Sequence, residues 1–346
     1  MARPAVAVVV VGHDSAGDLA ATLPALTAQL EPGDELVVVD NASRDGTPRV
    51  ARELAPRATV IETGANLGFA AGCNAGADAS SAPLLLFLNP DAIPASGCIE
   101  ALAACADRRP GWGAWQALVT MDGGRLVNTA GNEVHFLGFG WAGRCGAPVS
   151  AIDGAPADVG FASGAALVVR RVAWDAAGGF DARYFMYGED LDLCLRLRLA
   201  GWGIGIEPRA VVEHGYVFEK GAYKWFYLER NRWWTIVGTY PAPLLGLLAP
   251  ALLAFEVALL AAAWRGGWLA AKLRAQAAVI RLAPAMVRRR RAVQATRRAD
   301  AGAFAAALTA SLDSPYLAPA ARAPGLAAAQ RAYWRAVRAA LPAARD

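Results

Sequence analysis

The sequence predicts an α/β domain with a mixed, mostly parallel sheet covered by helices, followed by an apolar segment and a basic helical tail. Three observations point there. Short apolar runs recur through residue 88, each closed by polar residues. Stretches of helical periodicity lie between them, the rhythm of strand, helix, strand. Beyond residue 235 the composition changes, first to almost pure apolar residues and then to arginine and alanine.

Val6 to Val11 is a continuous β-branched run, as expected of a strand buried on both faces, and too short for a secretory signal. Leu19, Leu23, Leu26 and Leu30 recur at helical spacing and predict a helix over 18–30. Glu35 to Val39 is a second strand ending at Asp40. Asp45-Gly46-Thr47 is a turn into a helix towards Leu54, and Thr59 to Ile61 is a third strand. A glycine-rich stretch runs from Gly64 to Gly76. Leu84 to Leu88 is a fourth strand, ending at Asn89-Pro90-Asp91. Between Trp112 and Asp158 glycines and aromatics dominate, and the pattern predicts loops and short strands. Ala165 to Val169 is again a strand, and Ala210 to Val212 precedes Glu213-His214. Leu191 to Leu199 fits either period, but Gly201 suits a helix C-cap, so a helix is expected from Glu189. The tail is expected to be helical in part. These divisions give a domain over 1–235, an apolar segment over 236–264 and a tail over 265–346.

At 346 residues the chain can bury a large core. It carries 34 Lys and Arg against 30 Asp and Glu, a net charge of +4 that calls for no nucleic-acid partner, and no such motif appears. Its five cysteines include no C-x-x-C pair, which predicts buried thiols in a reducing compartment. There is no Walker A motif and no G-x-G-x-x-G spacing. Polar residues instead cluster where strands end: Asp40, Asn41, Asn66, Asn89 and Asp91. In open α/β sheets that edge binds ligands.

Five segments then recur in order: Val37 to Thr47, Asn66 to Asn74, Leu88 to Asp91, Gly164 with Gly178 to Asp181 and Tyr187 to Asp192, and Glu213-His214. Together they resemble the family 2 glycosyltransferases of GT-A nucleotide-sugar-binding fold, over roughly residues 5–235. The nearest likeness is to bacterial rhamnosyltransferases acting on polyprenyl-diphosphate-linked sugars. The resemblance implies a metal-dependent inverting transfer from a nucleoside-diphosphate sugar, with dTDP-rhamnose as donor. The acceptor it implies is a polyprenyl-linked saccharide of cell-envelope polysaccharide, met at the cytoplasmic face of the bacterial inner membrane.

By that resemblance Asp190 is the base that takes the acceptor proton, and Glu189 and Asp192 orient the acceptor. Helix-dipole compensation is the alternative for these acids. Asn89-Pro90-Asp91 stands where the family has its D-x-D motif. Asp91, joined by His214, would hold Mg2+ or Mn2+ against the diphosphate; a loop cap and a structural histidine are the alternatives. His13, Asp40, Asn66, Gly68, Asn89 and Arg230 are the expected donor-binding residues. Asp40 or Asp45 could instead cap a turn, and Arg230 could face lipid headgroups. Two other functions compete: a non-catalytic nucleotide-sugar-binding scaffold, which Asp91 and Asp190 disfavour, and a nucleotidyltransferase, whose activation loop Gly12 to Gly17 does not resemble.

Leu244 to Trp264 is about long enough to span a bilayer, where roughly 20 apolar residues are needed. Pro250 interrupts it, Glu256 sits near its middle, and the tail's arginines favour the cytoplasmic side. A re-entrant or in-plane element at an anionic membrane surface is expected, held by Trp233, Trp234 and the tail's arginines. A single span and a buried core helix remain as alternatives.

Overall fold

The computed structural model describes residues 3–215, 223–311 and 324–341. They fall into two units. One comprises Met1–Asn132, Ala142–Leu197 and Trp202–Tyr216; the other comprises Glu133–Trp141, Arg198–Gly201 and Val217–Asp346.

In the first unit, β1 (Val6–Gly12), β2 (Glu35–Asp40), β3 (Thr59–Glu62) and β4 (Leu84–Leu88) pair in parallel in the order β4-β1-β2-β3. Helices α1 (Ala16–Thr27), α2 (Thr47–Leu54) and α3 (Phe69–Asp78) connect them. Helix α1 starts two residues before the expected 18–30 and ends three residues short of it. The Asp45 carboxylate accepts from the Ala16 N–H at 2.8 Å, supplying a partner for a free donor of its first turn.

The chain continues through β5 (Ala92–Pro94), α4 (Cys98–Arg108), β6 (Trp112–Met121), β7 (Leu126–Thr129), β8 (Asn132–Val134), β9 (Gly140–Ala142) and β10 (Ala157–Asp158). It then forms β11 (Ala166–Arg170), α5 (Arg171–Ala177), α6 (Glu189–Leu199) and β12 (Gly203–His214). The main sheet runs β10-β12-β6-β11-β4-β1-β2-β3, with β5 on β12 and β7 on β6; β8 and β9 pair separately. β11 runs antiparallel to both its neighbours, and β5, β7 and β10 are also antiparallel additions. The sheet is therefore mixed, with β1 to β4, β6 and β12 running one way and β5, β7, β10 and β11 the other.

Strand β6 is the element the sequence concealed. It lies in the middle of the sheet with nine of its ten residues buried. A Cβ at Gly205 would lie 2.2 Å from the Trp112 ring, and one at Gly113 would lie 2.8 Å from Trp202. These glycines, on β12 and β6, make room for Trp112 of β6 and for Trp202 just ahead of β12. A glycine-aromatic alternation that reads as loop is here a way of burying large rings.

Alternation splits the core between the two faces. Val6, Val8 and Val10 pack with Leu19, Leu23 and Leu26 of α1 and with Ile99 and Leu102 of α4. On the other face Phe87 meets Trp174 at 4.7 Å and Phe180 at 5.2 Å between ring centroids. The described cysteines are free thiols, four of them buried.

The second unit holds α7 (Tyr223–Thr239), α8 (Ala242–Arg265), α9 (Leu269–Ala295), α10 (Ala301–Ala306) and α11 (Pro324–Ala340). Of the tail expected to be helical, 312–323 and 342–346 lie outside the described residues. Segment 133–141 is built into these helices. Phe136 stacks on Trp334 at 5.2 Å, and the Leu137 carbonyl accepts from Arg232 at 3.1 Å. Helix α8 continues through Pro250 and is long and apolar enough to cross a membrane by length and composition. Two expectations about its flanks need correction. Trp234 is buried, and the Trp233 indole donates to Glu256 at 3.2 Å, so neither is a surface anchor. Arg290 donates to the Val237 and Tyr240 carbonyls at 2.6 and 2.7 Å, closing the C-terminus of α7 rather than facing outward.

Candidate active site

The register brings the expected residues to one edge. Gly12 pairs with Asp40, Asp40 with Glu62, and Val10 with Leu88, so the parallel strands end together. β11 starts at this edge because Ala166 pairs with Leu88 in the antiparallel sense. β12 finishes there too, and its His214 pairs with Ala92 of β5. That last pairing places Asp91 beside His214: Oδ1 is 3.1 Å from Nε2. Asn89 Nδ2 lies 3.3 Å from the same nitrogen. Asn89, Asp91 and His214 thus converge from two strand ends. Asn128 donates to the His214 carbonyl at 3.1 Å and holds the end of β12.

No group of three His, Cys, Asp or Glu side chains suited to a metal occurs among the described residues. The Asn89 amide presents its nitrogen to His214 here; turned over, it would present its oxygen beside the Asp91 carboxylate and the His214 imidazole, a donor set whose chemistry fits a divalent cation. Asp18 of α1 adds negative charge here. Burial raises its pKa, and Asp91 and then Asp45 raise it further. The leucine pattern of α1 gave no hint of this polar role.

Further along the same edge, Asp40 is buried and accepts from the Ser43 N–H at 3.3 Å. His13 Nδ1 sits 2.9 Å from the Asn41 carbonyl. Asn41 is the residue sequence reasoning undervalued. Its buried amide donates to Asn66 Oδ1 at 3.1 Å and to the Gly68 carbonyl at 3.2 Å, and it accepts from the Leu67 N–H at 2.9 Å. One side chain so fixes the 66–68 turn against β2. Gly68 has φ of +83°, and a Cβ there would lie 2.5 Å from Phe185. Asp45 accepts from Thr47 and Ala16, and its pKa is lowered by the Thr47 hydroxyl first; it is a cap.

Asp190 opens α6. Its Oδ2 accepts from the Gly164 N–H at 2.9 Å and its Oδ1 from the Leu191 N–H at 2.7 Å. The neighbouring Ala165 carbonyl accepts from the Asn89 N–H at 3.0 Å. The start of β11 thereby ties Asp190 to the Asn89-Asp91 turn through two backbone hydrogen bonds. Burial raises the Asp190 pKa. Glu189 is buried, its Oε2 has no hydrogen-bond partner, and burial followed by the Asp190 charge pushes its pKa up to about 8. Of the two, Asp190 has the oxygens solvated by backbone N–H groups, which favour its ionised form, whereas the Glu189 oxygen lacks such a partner.

The loop leading into this helix is strained. Phe185 has φ 64° and ψ −62°, with the Met186 N–H donating to the Tyr184 carbonyl at 2.7 Å, a tight γ-turn. Tyr187 also has positive φ, at 66°. Strain of this kind persists where surroundings hold it, often beside a site.

Asp192 is not part of this cluster. Asp192 is fully buried and pairs with Arg196 at 2.8 Å; Arg196 in turn donates to the Ala177 and Gly179 carbonyls. A carboxylate locked inside the fold has no face to offer an acceptor, which corrects the orienting role expected of it. Arg230 belongs to the helical unit, where it donates to Asn231 at 2.9 Å and lies over the Tyr227 ring at 5.0 Å.

A strand edge that gathers Asn89, Asp91 and His214, with the buried Asp190 carboxylate and a glycine turn beside it, has the chemistry to handle a diphosphate. The model of the glycosyl transferase family 2 matches residues 7–132, and that of glycosyl transferase family group 2 matches residues 84–296. The chain is a family 2 glycosyltransferase. This glycosyltransferase is 33% identical over 229 residues to the N-acetylglucosaminyl-diphospho-decaprenol L-rhamnosyltransferase of Mycobacterium tuberculosis, covering 60% of this chain and 75% of that one. Among solved structures it resembles GalNAc-T7 with UDP, GalNAc and Mn2+, at TM-score 0.57 and 13% identity. That match covers 69% of the glycosyltransferase and about half (49%) of GalNAc-T7. It also resembles the mannosyltransferase PcManGT from Pyrobaculum calidifontis with GDP-Man and Mn2+, at TM-score 0.50 and 20% identity, covering 98% of this chain and 87% of that one. These likenesses establish the GT-A fold of the glycosyltransferase.

Proposed function

We propose that this glycosyltransferase moves rhamnose from dTDP-rhamnose, with inversion, onto a saccharide carried by polyprenyl diphosphate at the cytoplasmic face of the bacterial inner membrane. The observation that carries the mechanism is the backbone linkage of Asp190, through Gly164 and Ala165, to the turn bearing Asn89 and Asp91. The choice of sugar and acceptor is supported by the mycobacterial relative.

In the reaction, the acceptor hydroxyl gives its proton to Asp190 as its oxygen attacks the anomeric carbon. The bond from that carbon to the donor diphosphate breaks, and the nucleoside diphosphate leaves with the electron pair. Burial makes Asp190 a stronger base than a free aspartate, and its two backbone hydrogen bonds fix its direction. Asn89, Asp91 and His214 are the residues that would hold Mg2+ or Mn2+, which when bound neutralises charge on the departing diphosphate. Asp40, His13 and the Asn66–Gly68 turn held by Asn41 are the surfaces for base, ribose and phosphate.

The test is a panel of nucleoside-diphosphate sugars followed by thermal shift with and without Mn2+, then by transfer to polyprenyl-diphosphate-linked N-acetylglucosamine. Stabilisation by dTDP-rhamnose that requires the metal, with rhamnose appearing on the lipid-linked sugar, is the expected result. Stabilisation by another donor alone would overturn the sugar assignment and leave the family intact.

A further inference from the structure

Helix α8 has two contrasting faces. One carries Glu256, which pairs with Arg232 of α7 and with Lys272 of α9, the latter at 2.7 Å. Lys272 also pairs with Glu229 of α7, and Gln276 donates to Glu256 at 3.0 Å. Lys272 is fully buried and Arg232 almost so. Burial opposes ionisation of Glu256, but the Arg232 and Lys272 charges outweigh it and hold its pKa below the ordinary value. This cluster binds α8 at its midpoint to the helices before and after it.

The other face is bare. Leu253 is 70%, Val257 63% and Trp264 69% exposed. Gly246, Pro250 and Ala261 continue the same row at spacings of three and four, and all are exposed. The row contains no charged or hydrogen-bonding side chain apart from the Trp264 indole. Helix α9 exposes Leu273, Ile280 and Val287, and beside them Arg274, Arg281, Arg288 and Arg291.

Charge names the partner. Residues 223–311 and 324–341 hold sixteen Lys and Arg against three acids, Glu229, Glu256 and Asp300. The two glutamates are spent in the buried cluster, and Asp300 caps α10 by accepting from the Ala303 N–H at 2.7 Å. What faces outward is apolar and cationic, the combination that inserts into an anionic lipid interface.

We propose that α8 lies in the plane of an anionic phospholipid monolayer, with the Leu253-Val257-Trp264 row inserted, and does not cross the bilayer. To cross, α8 would have to leave α7 and α9, carrying Glu256 unpaired into hydrocarbon and stranding Arg232 and Lys272, an expensive separation. Lying flat keeps the cluster intact and lets the arginines of α9 reach headgroups. The proposal rests on the lipid-linked acceptor only for its purpose, since lipid binding is measured without sugar transfer.

The experiment uses the full-length protein in flotation with vesicles of phosphatidylethanolamine and phosphatidylglycerol, and with phosphatidylcholine vesicles as control. At least tenfold stronger binding to the anionic vesicles is expected, weakening with salt. The double substitution Leu253→Asp, Val257→Asp should lower binding tenfold or more without changing the melting temperature or donor binding. Arg281→Glu with Arg288→Glu should remove most of the salt dependence. Single cysteines at Ala242→Cys and Gly266→Cys, compared with the parental protein, should both react with an impermeant maleimide from the cytoplasmic side. Labelling from opposite sides would overturn the proposal in favour of a span. Absence of vesicle binding would also overturn it, as would a dimer that the Leu253→Asp, Val257→Asp pair dissociates in place of an effect on lipid binding. Loss of sugar transfer with intact vesicle binding would count against the proposed reaction alone.

Discussion

Asp190 is placed by its neighbours more than by its own helix. Gly164 and Leu191 supply the two N–H groups that hold its oxygens. Asp190→Asn keeps that shape and removes basicity. It should cut turnover about 10²–10⁴-fold with donor affinity unchanged, read from kcat against donor titration; collapse of donor binding would make Asp190 a donor ligand instead. Glu189 has a different signature. Its ordinary pKa of 4.5 rises to about 8 on folding, so the folded chain retains a proton that the unfolded chain loses between those values. Its cost to stability is therefore absent at low pH and grows as pH rises through that window, at about 1.4 kcal/mol per unit. Glu189→Gln, which mimics the protonated form, should raise the melting temperature more at pH 8 than at pH 5. An equal effect at both pH values would refute the raised pKa. At this scale the sequence was legible where a carboxylate stands at a strand or helix end, as at Asp91 and Asp190, which the structure brings to one sheet edge. It was opaque where an amide acts on backbone, as Asn41 does, and where a motif acid turns inward, as Asp192 does. Nothing in Asp190-Leu191-Asp192 says that Arg196 will claim the second carboxylate.

Elements were legible in proportion to how local their cause is. The strands β1, β2 and β4 announce themselves because each is apolar on both faces. β6 did not, because its one glycine, Gly113, makes room for Trp202, which lies just ahead of β12. Helix α6 was recovered from a pattern that suited either period, since the glycine after it settles the matter locally. Helix α8 illustrates the opposite case, because the meaning of Glu256 depends on residues 24 and 16 positions away. Glu256→Gln leaves Arg232 and Lys272 short of a partner and should cost about 3 kcal/mol, measured by urea unfolding. Adding Lys272→Met should recover part of that loss. If Glu256→Gln were neutral, the cluster would not be holding the helices together. Gly68→Ala is the corresponding test in the first unit. A methyl group must displace Phe185 and adopt positive φ, so donor affinity and stability should both fall.

For the whole molecule, charge is divided between the two units. The chain is close to neutral, with a net charge of +4, yet the helical unit is strongly basic. The first unit is therefore net acidic, as suits residues that gather a cation. Donor with Mn2+ should raise the melting temperature increasingly with ligand, through a stabilisation of about 2.7 kcal/mol at a hundredfold excess over Kd. His214→Ala should abolish the metal-dependent part and leave any metal-independent part. An unchanged response would remove His214 from the trio. The division of the chain was only partly visible beforehand. The compositional shift near residue 235 falls inside α7, after the helices have begun at Tyr223, and the inclusion of 133–141 in the helical unit comes from contacts with Arg232 and Trp334 about a hundred or more positions away, beyond any local signal.

The contact between Gly68 and Phe185 also bears on timing. The ring rests on a bare α-carbon, and the Phe185 carbonyl accepts from the Ala70 N–H at 3.4 Å, so neither segment can shift alone. If a donor seats on the 66–68 turn, the segment ahead of the base moves into its working position as a result. An acceptor arriving first meets that segment before it has been set. Substrates should then add in a compulsory sequence, nucleotide sugar before lipid, and the spent nucleotide should leave last. Initial-rate patterns report this directly: the released nucleotide should compete with the donor and not with the acceptor, whereas random addition would make the two patterns alike.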